Sequence, residues 1–300
     1  MKVLLASDGS SLAKNAAELL HHLKFQQPLK LAVLTVSLGP ELTIHGNPQN
    51  LTREEEEKEF VARHHADLEA MFKDQCPDYF SKLHHTGNVA QSILEVSRRI
   101  VADLIVIGAV GHSLVTRMLL GSISDRVATH AQCSVLVVRP PDKDHRPHVC
   151  PKKITIAYDG SIASREAINE MMQLTWDPDC EFSVLSIAPS YDYLMSEGVA
   201  AGVLEDEAKA LEQTKDKAQY IAKQLAEKLP NTHPHVIRSQ HEGEAIVRFS
   251  EHQQSDLVIL GDTGHSLLHD LFLGSTTKYV LRHAPCSVWI SRHHHTTEGE

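Results

Sequence analysis

The stretch ADLIVIGAVGHSL at residues 102–114 decides the fold, because a short apolar run passes directly into a glycine-rich loop. The run DLIVIG (103–108) is typical of a strand that is covered on both faces of a parallel sheet. Nearly the same line returns as SDLVILGDTGHSL at residues 255–267. Two copies in a chain of 300 residues indicate an internal duplication.

Other segments repeat at the same offset of about 150 residues. KVLLASDGS (2–10) returns as KITIAYDGS (153–161), and HAQCSVLVVRP (130–140) returns as HAPCSVWISR (283–292). Between the halves, PPDKDHRPHVCPKK is rich in proline and charge, which is typical of a linker. The sequence therefore predicts a first domain at 1–140, a linker at 141–152, a second domain at 153–292 and a histidine-containing tail at 293–300.

Within each half, apolar runs alternate with helical patterns. In the first half, VLLAS and YFSKLHH predict strands, SLAKNAAELLHHL predicts a helix capped by Ser10 or Ser11, and Asn88 opens a later helix. A long charged helix has an apolar side made of Phe60, Val61, Leu68, Met71 and Phe72. Strands joined through helices predict an α/β fold, with a five-stranded parallel sheet and helices on both faces in each half. Ligands of such sheets bind beyond the carboxyl ends of the strands.

The glycine-rich loop at that edge is a candidate phosphate cradle. Gly108 and Gly111 permit backbone angles that other residues resist. Gly121 and Ser122 then open a helix, whose N–H groups and dipole face the loop, while Ser124 adds a hydroxyl donor. The spacing G-x2-G-x9-G-S recurs at Gly261, Gly264, Gly274 and Ser275, and it is neither a P-loop nor a G-x-G-x-x-G fingerprint. A turn that merely ends the strand is the alternative, which the second copy disfavours.

This double pattern resembles the ATP-binding motif of the universal stress protein family, and the likeness covers both halves nearly end to end. The resemblance implies two tandem Rossmann-like (adenine nucleotide alpha hydrolase-like) domains that bind ATP, with Mg²⁺ or Mn²⁺ as a companion cation. The residues that the loop pattern and the resemblance assign to the nucleotide are Asp8, Val36, Gly108, Gly111, His112, Gly121, Ser122 and Ser124 in the first half and Asp159, Ile187, Gly261, Gly264, His265, Gly274, Ser275 and Thr277 in the second.

The resemblance places Asp8 and Asp159 beside the nucleoside, where a carboxylate accepts hydrogen bonds from ribose hydroxyls or the adenine amino group. The alternative role for both is to cap the helix that follows. The loops themselves differ, since the first half has Ala109, Val110 and Arg117 where the second half has Asp262, Thr263 and Asp270. Carboxylates repel a triphosphate unless a divalent cation intervenes, so the first half is predicted to be the better site.

Composition narrows the function further. The net charge of −10 disfavours nucleic acids and anionic membranes as partners, and the chain lacks an apolar run of the ~20 residues that a membrane span needs. The five cysteines form no C-x-x-C pair, which favours a cytoplasmic location.

The histidine and arginine residues of the loops, His112, His265 and Arg117, are weak candidates for catalysis because no Walker lysine accompanies them. We therefore expect a regulatory nucleotide-binding protein of the stress response with at most slow ATP hydrolysis. One alternative is a zinc-binding stress protein built on the 21 histidines. Another is a protein-interaction module, since the resemblance implies an internal pseudo-dimer of the two halves, paired through their last strands, and allows a homodimer.

Overall fold

The structure, a computed structural model, describes residues 1–37, 49–109, 120–140, 150–190, 201–263 and 273–292, with only the backbone at 49–54 and 201–204. Two units of the chain, Met1–Pro140 and Pro141–Glu300, each make most of their contacts internally. Residues 141–149 of the predicted linker and the whole predicted tail lie outside the described residues. Each unit is a domain that contains five parallel strands.

In the first domain, strands and helices alternate along the chain as the apolar pattern predicts. The elements are β1 (Lys2–Ala6), α1 (Ser11–His22), β2 (Lys24–Phe25), β3 (Lys30–Ser37), α2 (Gln49–Phe72), β4 (Phe80–Thr86), α3 (Val89–Arg99), β5 (Leu104–Gly108), α4 (Ser122–His130) and β6 (Ser134–Val138). The sheet has the order β6-β5-β1-β3-β4, and all its neighbouring strands are parallel. Chain order reverses on either side of β1, so the carboxyl end of β1 lies at the switch point where such sheets bind ligands.

The second domain repeats this arrangement. Its elements are β7 (Lys153–Ala157), α5 (Ile162–Met171), β8 (Leu174–Thr175), β9 (Glu181–Pro189), α6 (Ala201–Ala226), β10 (Thr232–Ser239), α7 (Glu242–Gln253), β11 (Leu257–Gly261), α8 (Ser275–His283) and β12 (Ser287–Ser291). The sheet has the order β10-β9-β7-β11-β12, again parallel throughout. The predicted fold of two five-stranded α/β domains is confirmed, and the two-residue strands β2 and β8 lie outside these sheets.

Serine and asparagine side chains cap α1, α3 and α5, and the caps of α1 and α3 are those that the sequence predicts. Ser10 Oγ accepts a hydrogen bond from the backbone N–H of Ala13 at 3.2 Å, and Asn88 Oδ1 accepts one from the N–H of Gln91 at 3.0 Å. Each cap satisfies one of the backbone donors that a helix N-terminus leaves without an intrahelical partner. Ser161 caps α5 in the same way as Ser10 caps α1.

Helix α2 departs from the predicted apolar side. Phe60 is 44% exposed and Met71 is only half-buried, although both belong to the predicted set. His64 and His65 are buried instead, with 7% and 4% of their surfaces exposed. The prediction for this side of α2 was therefore wrong in part, because the helix faces hydroxyl groups of the sheet that make a histidine a suitable core residue.

Candidate functional site

Two aspartates follow the central strands at the carboxyl edge of each sheet. Asp8 Oδ1 accepts a hydrogen bond from the backbone N–H of Ser10 at 3.0 Å, and Asp159 Oδ1 accepts one from Ser161 at 2.9 Å. The helix cap in each domain is the serine, so the alternative in which the aspartates cap the helices is wrong. Each carboxylate instead shapes the turn at the end of the strand, where the predicted ligand would lie.

The turn also needs a glycine, which sequence reasoning did not single out. Gly9 and Gly160 have φ angles of 76° and 81°, a region that favours glycine. A Cβ on Gly9 would lie 2.5 Å from Cζ of Phe60, whereas a Cβ on Gly160 would lie 3.6 Å from Cδ of Lys217. An Asp-Gly pair directly after a buried strand was the signal for this turn.

Gly108 and Gly261 are the last residues of the strands that precede the glycine-rich loops. Glycine there was explained from the sequence by its freedom of backbone angles, and that explanation was wrong. Neither has a positive φ. A Cβ on Gly108 would lie 3.2 Å from the carbonyl oxygen of Leu12, and a Cβ on Gly261 would lie 2.6 Å from Cβ of Ala163. Glycine stands here because the first turn of α1 or α5 packs against the end of the strand.

Backbone hydrogen bonds fix both ends of each loop. The N–H of Gly121 donates to the carbonyl of Ala109 at 2.7 Å, and the N–H of Gly274 donates to the carbonyl of Asp262 at 2.8 Å. Gly121 and Gly274 begin α4 and α8, and neither helix has a side-chain cap. An uncapped helix N-terminus at the edge of a parallel sheet is suited to bind an anion.

The predicted hydroxyl donors fall into two classes. Ser122 and Ser275 are exposed at the first positions of α4 and α8. Ser124 Oγ is buried and donates to the carbonyl of Ala109 at 2.5 Å. Thr277, likewise buried, donates to the carbonyl of Gly261 at 2.8 Å. These two buried hydroxyls hold the loop to its helix, and their use as donors to a ligand stays a prediction.

The second-domain residues converge on one cavity. An inner cavity of about 210 Å³ and an adjoining outer cavity of about 1060 Å³ lie at the carboxyl edge of the sheet. Both are lined by Tyr158, Asp159, Ile187, Glu242, Ser275 and Thr276. Every predicted second-half residue in the described part of the chain lines the inner cavity, namely Asp159, Ile187, Gly261, Gly274, Ser275 and Thr277. Residues from the ends of three strands and three helices thus form a single site.

Some predicted residues cannot be placed. Those outside the described residues are Val110, Gly111, His112 and Arg117 in the first half and Gly264, His265 and Asp270 in the second. The described first-half residues occupy positions that match their counterparts, with Asp8 after β1, Val36 half-buried near the end of β3, and Gly121 opening α4. The nucleotide roles of both sets remain predictions.

One of the two loop carboxylates that were predicted to weaken phosphate binding in the second half lies beside a positive charge. Asp262 Oδ2 lies 3.6 Å from Nε of Arg292, whose side chain is 7% exposed. A guanidinium at this distance offsets the carboxylate charge that the ranking counted against phosphate. The other carboxylate, Asp270, lies outside the described residues.

The first domain carries a histidine pair where the second carries Lys217 and Ala218. His64 Nε2 lies 2.8 Å from Oγ of Ser7, the residue before Asp8 of the turn. His65 Nε2 lies 2.9 Å from Oγ1 of Thr35. Thr35 donates its own hydroxyl hydrogen to the carbonyl of Ser7, so the imidazole N–H of His65 is the donor to Thr35.

Burial lowers the pKa of both histidines. For His65 burial is the largest cause, followed by the charges of His64, His84 and Lys82, and the pKa falls to about 4. For His64 burial outweighs the opposing effect of Asp67, and its pKa is also lowered. Both imidazoles are therefore predominantly neutral at neutral pH and act as hydrogen-bonding core residues of the first domain.

The described residues can also be examined for a metal site and for a membrane-spanning helix. Within the described residues, no group of three or more His, Cys, Asp or Glu side chains is arranged to hold a metal ion. The histidines of the predicted tail lie outside that part. No helix among the described residues is long and apolar enough to cross a bilayer.

Known proteins resemble both halves of this chain. The profile of the universal stress protein family matches residues 1–139 and 151–292. A universal stress protein of Methanocaldococcus jannaschii is 29% identical over 153 residues, which cover 48% of this chain and 84% of that protein.

The solved structure of another universal stress protein shows the same fold. The crystal structure of a universal stress protein from Archaeoglobus fulgidus covers 98% of this chain and 97% of its own, with 18% identity and a TM-score of 0.64. A universal stress protein solved in complex with cAMP matches 46% of this chain and 96% of its own, with 20% identity and a TM-score of 0.35.

Proposed function

Because the chain belongs to the universal stress protein family, we propose that it is a regulatory protein that binds an adenine nucleotide, and we assign the site to the second domain instead of the first half that loop charge alone favoured. The observation that carries the proposal is the inner cavity. Six residues chosen from sequence, separated by as many as 118 positions (Asp159 to Thr277), line one space at the switch point of the sheet. Convergence of this kind is expected of a binding site and not of scattered structural glycines.

The lining residues suit the parts of a nucleotide. The Asp159 carboxylate can accept hydrogen bonds from ribose hydroxyls or the adenine amino group, and Ile187 offers an apolar surface to the base. The uncapped N-terminus of α8, with Ser275 at its first position, offers donors to phosphate oxygens. Mg²⁺ or Mn²⁺ would offset phosphate charge when bound with ATP.

We favour binding over turnover. Phosphoryl transfer requires a positioned water and groups that offset charge on the transferring phosphoryl. In the described part of the chain, two charged side chains line the inner cavity, Asp159 and Glu242. Both are carboxylates, so neither offsets negative charge on the transferring phosphoryl group. The proposed activity is thus ligand-dependent regulation in the cytoplasm during stress, with at most slow ATP hydrolysis.

Isothermal titration with ATP and Mg²⁺ tests this function. The change Asp159→Asn keeps the oxygen that accepts from Ser161 but removes the carboxylate, and it should weaken binding about tenfold. Asp216→Asn removes the same charge from an exposed position that lines neither cavity, and it should leave binding unchanged.

Three results would contradict the proposal in different ways. Absence of any ATP-dependent heat or rise in Tm in the wild type would overturn nucleotide binding. Loss of binding in Asp8→Asn, with none in Asp159→Asn, would move the site to the first domain. Equal loss in Asp216→Asn and Asp159→Asn would mean that general charge and not the cavity controls affinity.

The association state stays a prediction of its own. The resemblance implies pairing of the two halves within one chain and allows a dimer of chains. Multi-angle light scattering of the full chain, with and without ATP, measures whether two chains associate.

A further inference from the structure

A hydrogen-bonded polar pair lies where the inner and outer cavities of the second domain adjoin, and the first domain has apolar residues at the same positions. Glu242, the first residue of α7, accepts a hydrogen bond at Oε2 from Oγ1 of Thr276, the second residue of α8, at 2.9 Å. The residues at the same helix positions in the first domain are Val89 and Ile123. Glu242 and Thr276 line both the inner and the outer cavity, so the carboxylate stands where the two meet.

A glycine brings this carboxylate to its place. Gly243 follows Glu242 and contacts Tyr279 of α8 so closely that a Cβ on Gly243 would lie 2.8 Å from Cβ of Tyr279. The N-terminal end of α7 therefore packs closely on α8, and Glu242 lies within hydrogen-bonding distance of Thr276. The position of the carboxylate is thus built into the helix packing.

The charge of the inner cavity is negative in the part that the structure describes. Its charged lining residues there are Asp159 and Glu242. Lys217 lines only the outer cavity, as does Glu244, which pairs with Arg248 at 2.5 Å. Helices α5, α7 and α8 begin at the cavity and contribute roughly +0.5 charge each, about +1.5 together, which is less than the charge of two carboxylates.

We propose that Glu242 sets the ligand charge that the second-domain site accepts, so that this site prefers adenosine or adenosine monophosphate to metal-free ATP. The inference rests on the proposed function, because it concerns the same cavity. A carboxylate at the edge of the cavity opposes each phosphate charge that a ligand adds, and the repulsion weakens at high salt because ions screen it. Apolar Val89 exerts no such effect in the first domain.

The experiment measures adenosine, AMP and ATP affinities by isothermal titration in EDTA at low salt. The wild type should bind AMP more tightly than ATP. Glu242→Gln should strengthen ATP binding about fivefold and change adenosine affinity less than about twofold, because only the charged ligand feels the lost carboxylate. Mg²⁺ should narrow the gap between ATP and AMP in the wild type.

Glu244→Gln is the matched control on the same helix. It removes one carboxylate that lines only the outer cavity and is already paired with Arg248, so the ATP-to-adenosine ratio should stay at the wild-type value. Both variants lie in the second domain, so a difference between them belongs to that site.

The outcomes separate the two proposals. Tighter binding of ATP than of AMP by the wild type in EDTA would overturn the charge preference, and so would an equal change for ATP and adenosine in Glu242→Gln. If no adenine compound binds at all, the proposed function fails first. A ratio that shifts in Glu242→Gln and not in Glu244→Gln supports the inference.

Discussion

The two domains have the same strand order and the same turn but differ in the side chains that the long helix, α2 or α6, places beside them. In the first domain, α2 places buried His64 and His65 against the ends of β1 and β3. In the second, α6 places exposed Lys217 and buried Ala218 at the corresponding positions. In both helices these positions lie eight and seven residues before the last buried residue of the helix. Duplication therefore preserved the Asp-Gly-Ser turn and the sheet edge while the helix that faces them acquired different chemistry.

This difference shows that the repeated motif fixes the position of the turn at the sheet edge but not the side chains that surround it. The second-domain edge carries described cavities with charged side chains, including Asp159, Glu242 and Lys217. At the first-domain edge, neutral imidazoles are hydrogen-bonded to strand hydroxyls. The predictions below test how far the matched positions have diverged, beginning with the largest expected effect.

The matched glycines at the strand ends should differ most. Gly261→Ala would bring a Cβ within 2.8 Å of the Ala163 backbone carbon, which cannot move without shifting α5, and it should cost about 3 kcal/mol of unfolding free energy. Gly108→Ala meets the Leu12 carbonyl at 3.2 Å and should cost about 1 kcal/mol. Urea unfolding gives both values, and hydrogen exchange in β5 and β11 assigns each loss to its domain. Equal losses would contradict the difference in helix packing.

The buried histidines should make the first domain sensitive to acid. The pKa of His65 is about 4 in the folded chain and about 6.5 when unfolded, so the unfolded state binds more protons between these values and stability falls as pH decreases. From pH 7 to pH 5 this group alone should remove about 2 kcal/mol. His65→Gln keeps an N–H donor for Thr35 and does not titrate, so the variant should lose that much less. Urea unfolding at both pH values measures it.

A useful check on the acid prediction comes from the second domain, which has Ala218 at the position of His65. Hydrogen exchange at pH 5 should therefore show a larger added opening in β1 and β3 than in β7 and β9, where burial also lowers the pKa of His235 on the neighbouring strand β10. An acid loss that His65→Gln leaves unaltered would show that other groups cause it.

The turn glycines should show the smallest difference. Gly9→Ala and Gly160→Ala both force a positive φ on alanine, which should cost each domain about 1 kcal/mol. Gly9→Ala also meets Cζ of Phe60, the far end of an exposed side chain that can rotate away, so its extra cost should be about 0.5 kcal/mol. In a Phe60→Ala background that excess should vanish. An excess that persists in the double variant would rule out Phe60 as its cause.

Much of the fold could be predicted from the sequence because it depends on local patterns. The repeat, the buried strands such as β5 and β11, and the helix caps Ser10 and Asn88 were all predicted and are confirmed. The convergence of the second-half residues followed from one rule, that parallel strands end at a common edge. Periodicity and capping act within a few residues, so the sequence displays them directly.

Other features were missed because their causes lie far apart in the chain. The burial of His65 depends on Thr35, 30 positions away, and the placement of Glu242 depends on Thr276, 34 positions away. The need for glycine at position 261 comes from Ala163 and not from a strained backbone. A helical pattern assigns histidine and glutamate to the polar side and cannot show which hydroxyl or helix end will face them.

The sequence by itself determined that this protein consists of two α/β domains with a glycine-rich loop at the carboxyl edge of each sheet, since hydrophobic periodicity and glycine spacing are local properties of the chain. Only the tertiary structure decided what each edge offers a ligand. Hydrogen-bond partners and charge balance there are set by side chains brought together from different helices and strands, and the same motif acquires different chemistry when the opposing helix changes.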